Sequence, residues 1–340
     1  MSRINRASAF VRVAKAVKVS DSGYHSNRTQ LVGLILRGSV FLVILLSLDR
    51  IIDCFLKHGL EKYYGLENPA KVLLIGHSHT VLGVDKKGLE NDLGVQVAKF
   101  AVEGANTADR LQMIQHYIFV QSNSVKVVVY DVDAHTFTAS GLSSSSFRLF
   151  LPFMESPSML DYVRRSFAGS MEFWVRRFIH CSRYGDLLIS LSVRGYLGNW
   201  RNLKRGQVDI LSLRKEVELG RFRRIEFNQE VVGQFETTLK FLRSRGIKVV
   251  LAYIPTLDIF NQAEPDLHKE VIDRFRRYAD ADSGIVFLDY NRDYESRHDY
   301  FFDHIHMNAD GQRVVTLRLG KDLKPLLQAA TPTSGPNGNN

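Results

Sequence analysis

From residue 70 onward, short apolar runs alternate with segments in which apolar residues recur at helical spacing. The runs are bounded by charged residues, glycine or proline, as expected for strands that are buried on both faces. Strands separated by helices favour a parallel, doubly wound α/β fold. The predicted strands are Val72–Ile75, Val95–Val102, Val125–Tyr130, Ile247–Ile254 and Ile285–Leu288, and the predicted helices are Thr107–Gln121, Glu230–Arg243, His268–Tyr278 and Ala309–Leu327.

The first predicted strand is followed at once by Gly76, His77 and Ser78. Gly76 permits a sharp turn, so we expect Ser78 at the carboxyl end of a buried strand, where open α/β sheets place their sites. A serine hydroxyl needs a base within hydrogen-bond reach, and the base needs a carboxylate to fix its tautomer. Asp303 and His306 lie three residues apart before the last helix, so one loop can carry both groups. The sequence therefore predicts that Ser78 is a nucleophile served by His306 and Asp303.

The most apolar stretch of the chain is Leu31–Leu48, which approaches the roughly 20 residues of a membrane-spanning helix. Residues 1–30 are basic and polar, and we expect little regular structure in them. Because the basic flank precedes the apolar run, the positive-inside rule places residues 1–30 in the cytoplasm. We predict a transmembrane or membrane-associated helix over 31–56, in a single-pass protein of the inner (cytoplasmic) membrane whose catalytic domain is extracytoplasmic. A buried or interfacial helix is the alternative.

The remaining chain divides into an α/β domain over 68–328 and a tail over 329–340, rich in Pro, Gly, Ser and Asn, which is predicted to be disordered. Residues 138–225 interrupt the strand–helix alternation and are rich in aromatic and basic residues. We interpret them as a mostly helical insertion over the carboxyl edge of the sheet. The insertion is either a lid with its own small core or a surface for a membrane, a glycan or a partner protein.

Three motifs together resemble the SGNH (GDSL-like) hydrolase superfamily: Gly76-His77-Ser78 after the first strand, Gly104 after the second, and Asp303-x-x-His306 before the last helix. The resemblance covers residues 70–135 and 227–328 and is closest to membrane-anchored members that work in polysaccharide O-acetylation or teichoic-acid D-alanylation. It implies a flavodoxin-like three-layer sandwich and acyl-ester chemistry. It further implies that Ser78 is the nucleophile, His306 the general base and then acid, and Asp303 its orienter.

The resemblance also implies that the backbone N–H groups of Ser78 and Gly104 form part of an oxyanion hole. Two departures from the family pattern bear on this site. His77 stands where the family usually has aspartate, and the third strand ends in Tyr130-Asp131-Val132-Asp133, without the family's oxyanion-binding asparagine. Asn106, two residues after Gly104, is the candidate substitute. A substitute matters because loss of one such donor costs roughly a hundredfold or more in rate.

Other polar residues near these motifs receive less specific interpretations. Asp131 and Asp133 are interpreted as part of a solvated turn, and Asp85 as a cap or brace of a turn. His77 and His79 either point away into helix packing or line the pocket.

Together these features predict a membrane-anchored SGNH-like serine esterase or O-acyltransferase that acts on acyl esters of an envelope polysaccharide. The expected partners are the membrane, the envelope glycan and a multispan membrane acyltransferase. No cofactor and no metal are expected. The net charge of +9 does not indicate nucleic-acid binding, because no nucleic-acid-binding motif accompanies it.

Two alternative classes remain open. A metal-dependent hydrolase is suggested by potential ligands in two short clusters, namely His77, His79, Asp303, His304 and His306. The second alternative is a non-catalytic SGNH-like scaffold that recruits a membrane acyltransferase. Stoichiometric metal in the purified protein would favour the first alternative. Retained function after Ser78→Ala would favour the second.

Overall fold

The computed structural model describes residues 7–121, 124–140 and 143–329, with side chains described from residue 30 onward. In this part of the chain, five strands form one parallel sheet in the order β2-β1-β3-β4-β5. The strands are β1 (Val72–Gly76), β2 (Val97–Ala101), β3 (Val127–Val132), β4 (Lys248–Tyr253) and β5 (Ile285–Asp289). The order is that of flavodoxin-like sheets. The predicted α/β fold class is therefore confirmed.

Helices follow the strands and cover both faces of the sheet. They are α1 (Ala7–Tyr64), α2 (Ser78–Gly83), α3 (Lys86–Leu93), α4 (Thr107–Gln121), α5 (Pro157–Ser166), α6 (Met171–Phe178), α7 (Asp186–Tyr196), α8 (Ile210–Glu218), α9 (Gln229–Arg243), α10 (Asp258–Asn261), α11 (Pro265–Ala281), α12 (Tyr290–Tyr294) and α13 (Ala309–Ala329). Asp85 caps α3 by accepting a hydrogen bond from Lys87 N, as predicted. The predicted disordered tail lies, after Ala329, outside the described residues.

The central strand β1 shows why the sheet is covered on both sides. Successive side chains of a strand point to opposite faces, and every residue of β1 is buried. Leu73 and Ile75 belong to one apolar core, whereas Val72 and Leu74 belong to the other. Every residue of β1 is therefore apolar or glycine because each face of the strand packs in a different core. The sheet lies between these two cores and their helices as the middle of three layers.

The chain separates into two compact units, Met1–Cys54 and Phe55–Asn340. The helical segment Gln30–Tyr64 contains an 18-residue window with a mean hydropathy of 2.5 in which no residue is buried. By length and composition it can cross a membrane, as predicted. The expectation of little regular structure before residue 31 is wrong, because α1 begins at Ala7. Residues 7–30 contain no proline and one glycine, so an established helix can extend through them at low cost.

The insertion over 138–225 is mostly helical, as predicted, with α5 to α8 and two 3₁₀ helices at Ser146–Phe153 and His180–Arg183. It does not form a separate core. Most of its buried apolar residues join the core on one face of the sheet, where the ring of Phe153 lies 6.0 Å from that of Phe100 in β2, whereas Leu213 of α8 joins the core on the other face. Aromatic residues of the insertion therefore complete the sheet packing, which the sequence pattern did not reveal.

Candidate functional site

The nucleophile candidate Ser78 lies at the point where β1 passes into α2. It is the first residue of α2, directly after the N-cap residue His77. Gly76 ends β1 in a position that tolerates no side chain. A Cβ atom there would lie 2.0 Å from Thr80 Oγ1 and 2.6 Å from the Cβ of Asp131. The tight turn thus depends on glycine and presents Ser78 at the carboxyl edge of the sheet.

The loop that carries Asp303 and His306 is closed at its base. Phe301 and Met307 form an antiparallel bridge, and Phe302 N donates to His306 O at 2.9 Å. From the insertion, the Asn202 side-chain amide donates to Met307 O at 2.6 Å and to Leu82 O at 3.1 Å. One side chain therefore fixes both this loop and the end of α2.

The structure brings Ser78, His306 and Asp303 together, although 228 residues separate the serine from the histidine. His306 Nε2 lies 2.8 Å from Ser78 Oγ, and His306 Nδ1 lies 2.8 Å from Asp303 Oδ2. Asp303 Oδ1 also accepts hydrogen bonds from the backbone N–H groups of Ile305 and His306, at 3.0 and 2.9 Å. This connectivity allows His306 to accept the serine proton while Asp303 holds the imidazole orientation.

The electrostatics of Asp303 agree with this connectivity. Burial acts to raise the pKa of Asp303, but the hydrogen bond from His306 and those from two backbone N–H groups outweigh it and lower the pKa to about 2. The carboxyl is therefore ionised at neutral pH. An ionised carboxylate can only accept hydrogen bonds, so Nδ1 of His306 must carry a proton and Nε2 is available as a base.

Ser78 opens onto a cavity of about 480 Å³ at the carboxyl edge of the sheet. Residues from the sheet edge and from the insertion share its lining, which includes His77, Ser78, His79, Gly104, Asp133, Ser143, Leu213, Glu216, Arg221, Phe222, Arg223, Phe260 and His304. The lining mixes apolar rings with charged groups. A cavity of this size is within the range of small-molecule sites.

The predicted oxyanion-hole residues divide into two groups. Gly104 lines the same cavity as Ser78 and adopts a left-handed conformation with φ of 73°, which favours glycine. Asn106 does not line the cavity. Its Oδ1 instead accepts from Asp109 N at 2.9 Å, while Asp109 Oδ2 accepts from Asn106 N at 2.8 Å, so Asn106 caps α4. Capping α4 occupies the side-chain oxygen of Asn106, and the role of its NH₂ group as the missing oxyanion donor stays a prediction.

Asp131 and Asp133 are buried, so the interpretation of a solvated turn is wrong. β3 lies next to β1 in the sheet, and the carboxylates at its end therefore lie beside the start of α2. Asp131 Oδ2 accepts from Thr80 Oγ1 at 2.8 Å, and Asp133 Oδ2 lies 3.0 Å from His77 Nε2. These contacts join residues more than 50 positions apart in the chain, so the segment of the two aspartates does not itself indicate them.

His77 and His79 both line the cavity rather than pointing away from it. His77 Nδ1 accepts from His79 N at 3.2 Å while its Nε2 faces Asp133, so the ring links the nucleophile helix to β3. Burial acts to raise the pKa of Asp133, yet the hydrogen bond with His77 holds it well below its usual value. Burial lowers the pKa of His79 well below its usual value, which keeps that ring neutral.

The ligand set of the metal-dependent alternative is not brought together. In the described part of the chain, the group whose potential donor atoms all lie within 4.8 Å of one another is His77, His79 and Asp131. Asp303 and His306 are instead engaged with each other and with Ser78. The predicted combination of both clusters in one metal site is wrong because the two loops meet through Ser78.

The chain is similar to several solved structures. A lipase/acylhydrolase from Enterococcus faecalis shares 13% identity over 75% of this chain and 95% of its own, with a TM-score of 0.40. A GDSL-like lipase from Bacteroides thetaiotaomicron shares 11% over 76% and 88%, with a TM-score of 0.36. An acetyl xylan esterase from Butyrivibrio proteoclasticus shares 9% over 77% and 65%, with a TM-score of 0.34.

No family model matches the chain, and no curated protein matches it. At such low identity and TM-score, the chemistry must be inferred from the site itself.

Proposed function

We propose that this protein is a membrane-anchored serine esterase or O-acyltransferase of the SGNH type. The observation that carries the proposal is the hydrogen-bonded series Ser78–His306–Asp303, with both contacts at 2.8 Å, at the edge of a cavity. Nucleophile, base and orienter are the three parts that acyl transfer through a serine requires.

The proposed reaction has two steps. Ser78 Oγ bonds to the carbonyl carbon of an acyl ester while its proton passes to His306 Nε2. Backbone N–H groups of Ser78 and Gly104 stabilise the oxyanion that develops. The bond to the donor oxygen then breaks, and that oxygen takes the proton from His306. In the second step an acceptor hydroxyl gives its proton to His306 and attacks the carbonyl carbon of the acyl-serine. The bond between that carbon and Ser78 Oγ then breaks, Oγ takes the proton from His306, and the acyl group leaves as a new ester or, with water, as the free acid.

The acceptor is a glycan hydroxyl for a transferase and water for an esterase, and both use the same residues. A glycan of the cell envelope is supported by the apolar α1 helix, which can anchor the protein at the membrane where such glycans are handled. The cavity lining supports it further, because Glu216, Arg221 and Arg223 offer polar groups for hydroxyl-rich substrates beside the Phe222 ring. In this proposal a multispan membrane acyltransferase supplies the acyl group, and the catalytic domain is extracytoplasmic.

The decisive experiment uses a fluorophosphonate probe on the full chain in detergent. The wild type should become covalently labelled, and Ser78→Ala should not. Ser143→Ala is a matched control, because Ser143 lines the same cavity but is not hydrogen-bonded to His306. Labelling that persists in Ser78→Ala, or a wild type that never reacts although it is folded, would refute the proposal.

The non-catalytic scaffold is the second function to be tested. It predicts that Ser78→Ala cells retain acylated envelope glycan, whereas removal of the whole protein abolishes it. The serine enzyme predicts that both changes abolish acylation. A 2.8 Å contact between Ser78 and an imidazole that is itself held by a carboxylate has no use in a scaffold, and it therefore favours the enzyme.

A further inference from the structure

Helix α7 of the insertion exposes an apolar face. Ile189, Val193 and Tyr196 are exposed and lie at i, i+4 and i+7, which places them in one row along the helix. The opposite side of α7, including Leu188 and Leu191, is buried in the core. Core packing therefore accounts for one side of this helix but not for the other.

The same helix packs against residues 55–64 of α1. Gly59 and Gly195 allow the two backbones to touch, since a Cβ atom on Gly195 would lie 1.9 Å from Gly59 O. Tyr196 donates its hydroxyl to Phe55 O at 2.8 Å, and its ring stacks on that of Phe55 at 4.7 Å. Phe55 follows the predicted span Leu31–Leu48 by only seven residues, so α7 is tied to the segment that leaves the membrane.

Helix α6 repeats the pattern. Met171, Trp174, Val175 and Phe178 are 74%, 48%, 44% and 63% exposed, and they follow i, i+3, i+4 and i+7 spacing. The rings of Trp174 and Phe178 stack at 6.0 Å, while Phe173 is buried on the other side. Clustered apolar groups on an outer face indicate an interaction surface, because single exposed apolar residues are common but such rows are not.

The charge around these helices has one dominant sign. Over residues 164–205, basic residues outnumber acidic residues nine to two, and all of the nine except Arg183 lie outside the buried part of the protein. One of the two acidic residues, Glu172, is already paired with Arg148 and Arg176. Apolar faces with tryptophan and phenylalanine, flanked by arginine, are typical of helices that lie in the interface of a membrane containing anionic lipids.

We propose that the exposed apolar faces of α6 and α7 lie in the interface of the bilayer that holds α1. We call these two exposed rows together, formed by Met171, Trp174, Val175, Phe178, Ile189, Val193 and Tyr196, the α6–α7 face. The proposal rests on the membrane anchoring in the proposed function. A lipid surface is favoured over a protein occupant because α7 is continuous with the anchor through Phe55 and Gly59, and because the basic excess suits lipid phosphates.

The chain contains two tryptophans, which makes the proposal directly measurable. Trp174 belongs to the α6–α7 face, whereas Trp200 is half-buried and donates its indole N–H to Tyr63 O at 2.7 Å. The full chain is placed in nanodiscs whose lipids carry bromine on upper acyl carbons, with and without anionic lipid. Tryptophan fluorescence is compared between the wild type and Trp174→Phe, an exposed substitution that leaves the core intact.

Interfacial helices lie about 5–10 Å deep, so we expect bromine to quench roughly half of the Trp174 fluorescence. The quenched component should be absent from Trp174→Phe and smaller without anionic lipid. Incorporated chains in which the wild type and Trp174→Phe are quenched equally would overturn the proposal and favour a protein occupant. Chains that fail to enter nanodiscs would instead refute the membrane anchoring, which keeps the two failures distinct. Neither outcome depends on Ser78 chemistry.

Discussion

Replacement of Asp303 by asparagine removes one charge and alters the tautomer of His306. Asp303 Oδ1 accepts two backbone N–H groups and Oδ2 accepts from His306 Nδ1, so both oxygens act as acceptors. An asparagine side chain has a single oxygen. If that oxygen keeps the two backbone hydrogen bonds, its NH₂ group faces Nδ1, which must then be an acceptor. The proton moves to Nε2, and His306 can no longer accept the proton of Ser78.

The expected loss follows from this wrong tautomer. Comparable changes in serine hydrolases lower kcat by roughly 10³- to 10⁴-fold, which corresponds to about 4–5.5 kcal/mol of transition-state stabilisation. The fold should survive, since the two backbone hydrogen bonds that close the loop are kept. We therefore expect a large kinetic effect with a change in the free energy of unfolding below about 2 kcal/mol.

The assay measures kcat and KM for an aryl acetate with the full chain in detergent, together with urea unfolding. Asp299→Asn is the matched control, because Asp299 lies close by in the chain but its carboxylate forms an exposed pair with Arg297. The control should keep its full rate. If Asp303→Asn retains more than a tenth of wild-type kcat, the orienting role of Asp303 is refuted. A Ser78→Ala/Asp303→Asn double variant should be no slower than Ser78→Ala alone.

Three further predictions concern the surroundings of Ser78. Gly76→Ala should lower the free energy of unfolding by at least about 1–3 kcal/mol, measured in urea, because the added Cβ meets Thr80; unchanged stability would show that the turn has room. His77→Asn keeps a capping side chain but leaves buried Asp133 without its imidazole partner, which should cost about 1–3 kcal/mol in the same measurement, and Asp133→Asn in the same chain should recover part of it. The pKa of Asp303 is lowered in the folded state, so its contribution to the free energy of unfolding is complete above the unfolded value of 3.8 and is lost as pH falls towards 2. Allowing for solvent screening, the free energy of unfolding of the wild type should fall by about 1 kcal/mol more than that of Asp303→Asn between pH 5 and pH 2. An equal fall in both proteins would contradict the assignment.

Local sequence patterns were enough to predict the secondary-structure elements around the site. The helix Thr107–Gln121 was predicted with its observed ends, because apolar spacing marks a helix that packs against a sheet. The proximity of Ser78, His306 and Asp303 was also predictable, since Ser78 directly follows a buried strand and the Asp303–His306 pair before the last helix carries the chemistry that a serine nucleophile needs. Their roles in catalysis remain a prediction that the labelling experiment tests.

Features that depend on distant partners were not predictable. Asp131 and Asp133 looked like turn residues, because nothing in their own segment shows that Thr80 and His77 will face them across the sheet. The cap that Asn106 forms with Asp109 is, by contrast, a local contact between residues three apart, of the kind that a capping-box pattern indicates. Burial is decided by tertiary contacts, and a single sequence carries little information about these.

The double hydrogen bond of Asn202 has a mechanical consequence. Its amide donates to Leu82 O, near the end of α2, and to Met307 O, the residue directly after His306. A displacement of this stretch of the insertion would move Ser78 and His306 together. The 2.8 Å hydrogen bond between Ser78 Oγ and His306 Nε2 tolerates only a small change in their separation. A macromolecule that binds and displaces the residues near Asn202 would therefore lower kcat from outside the cavity, without competing with substrate.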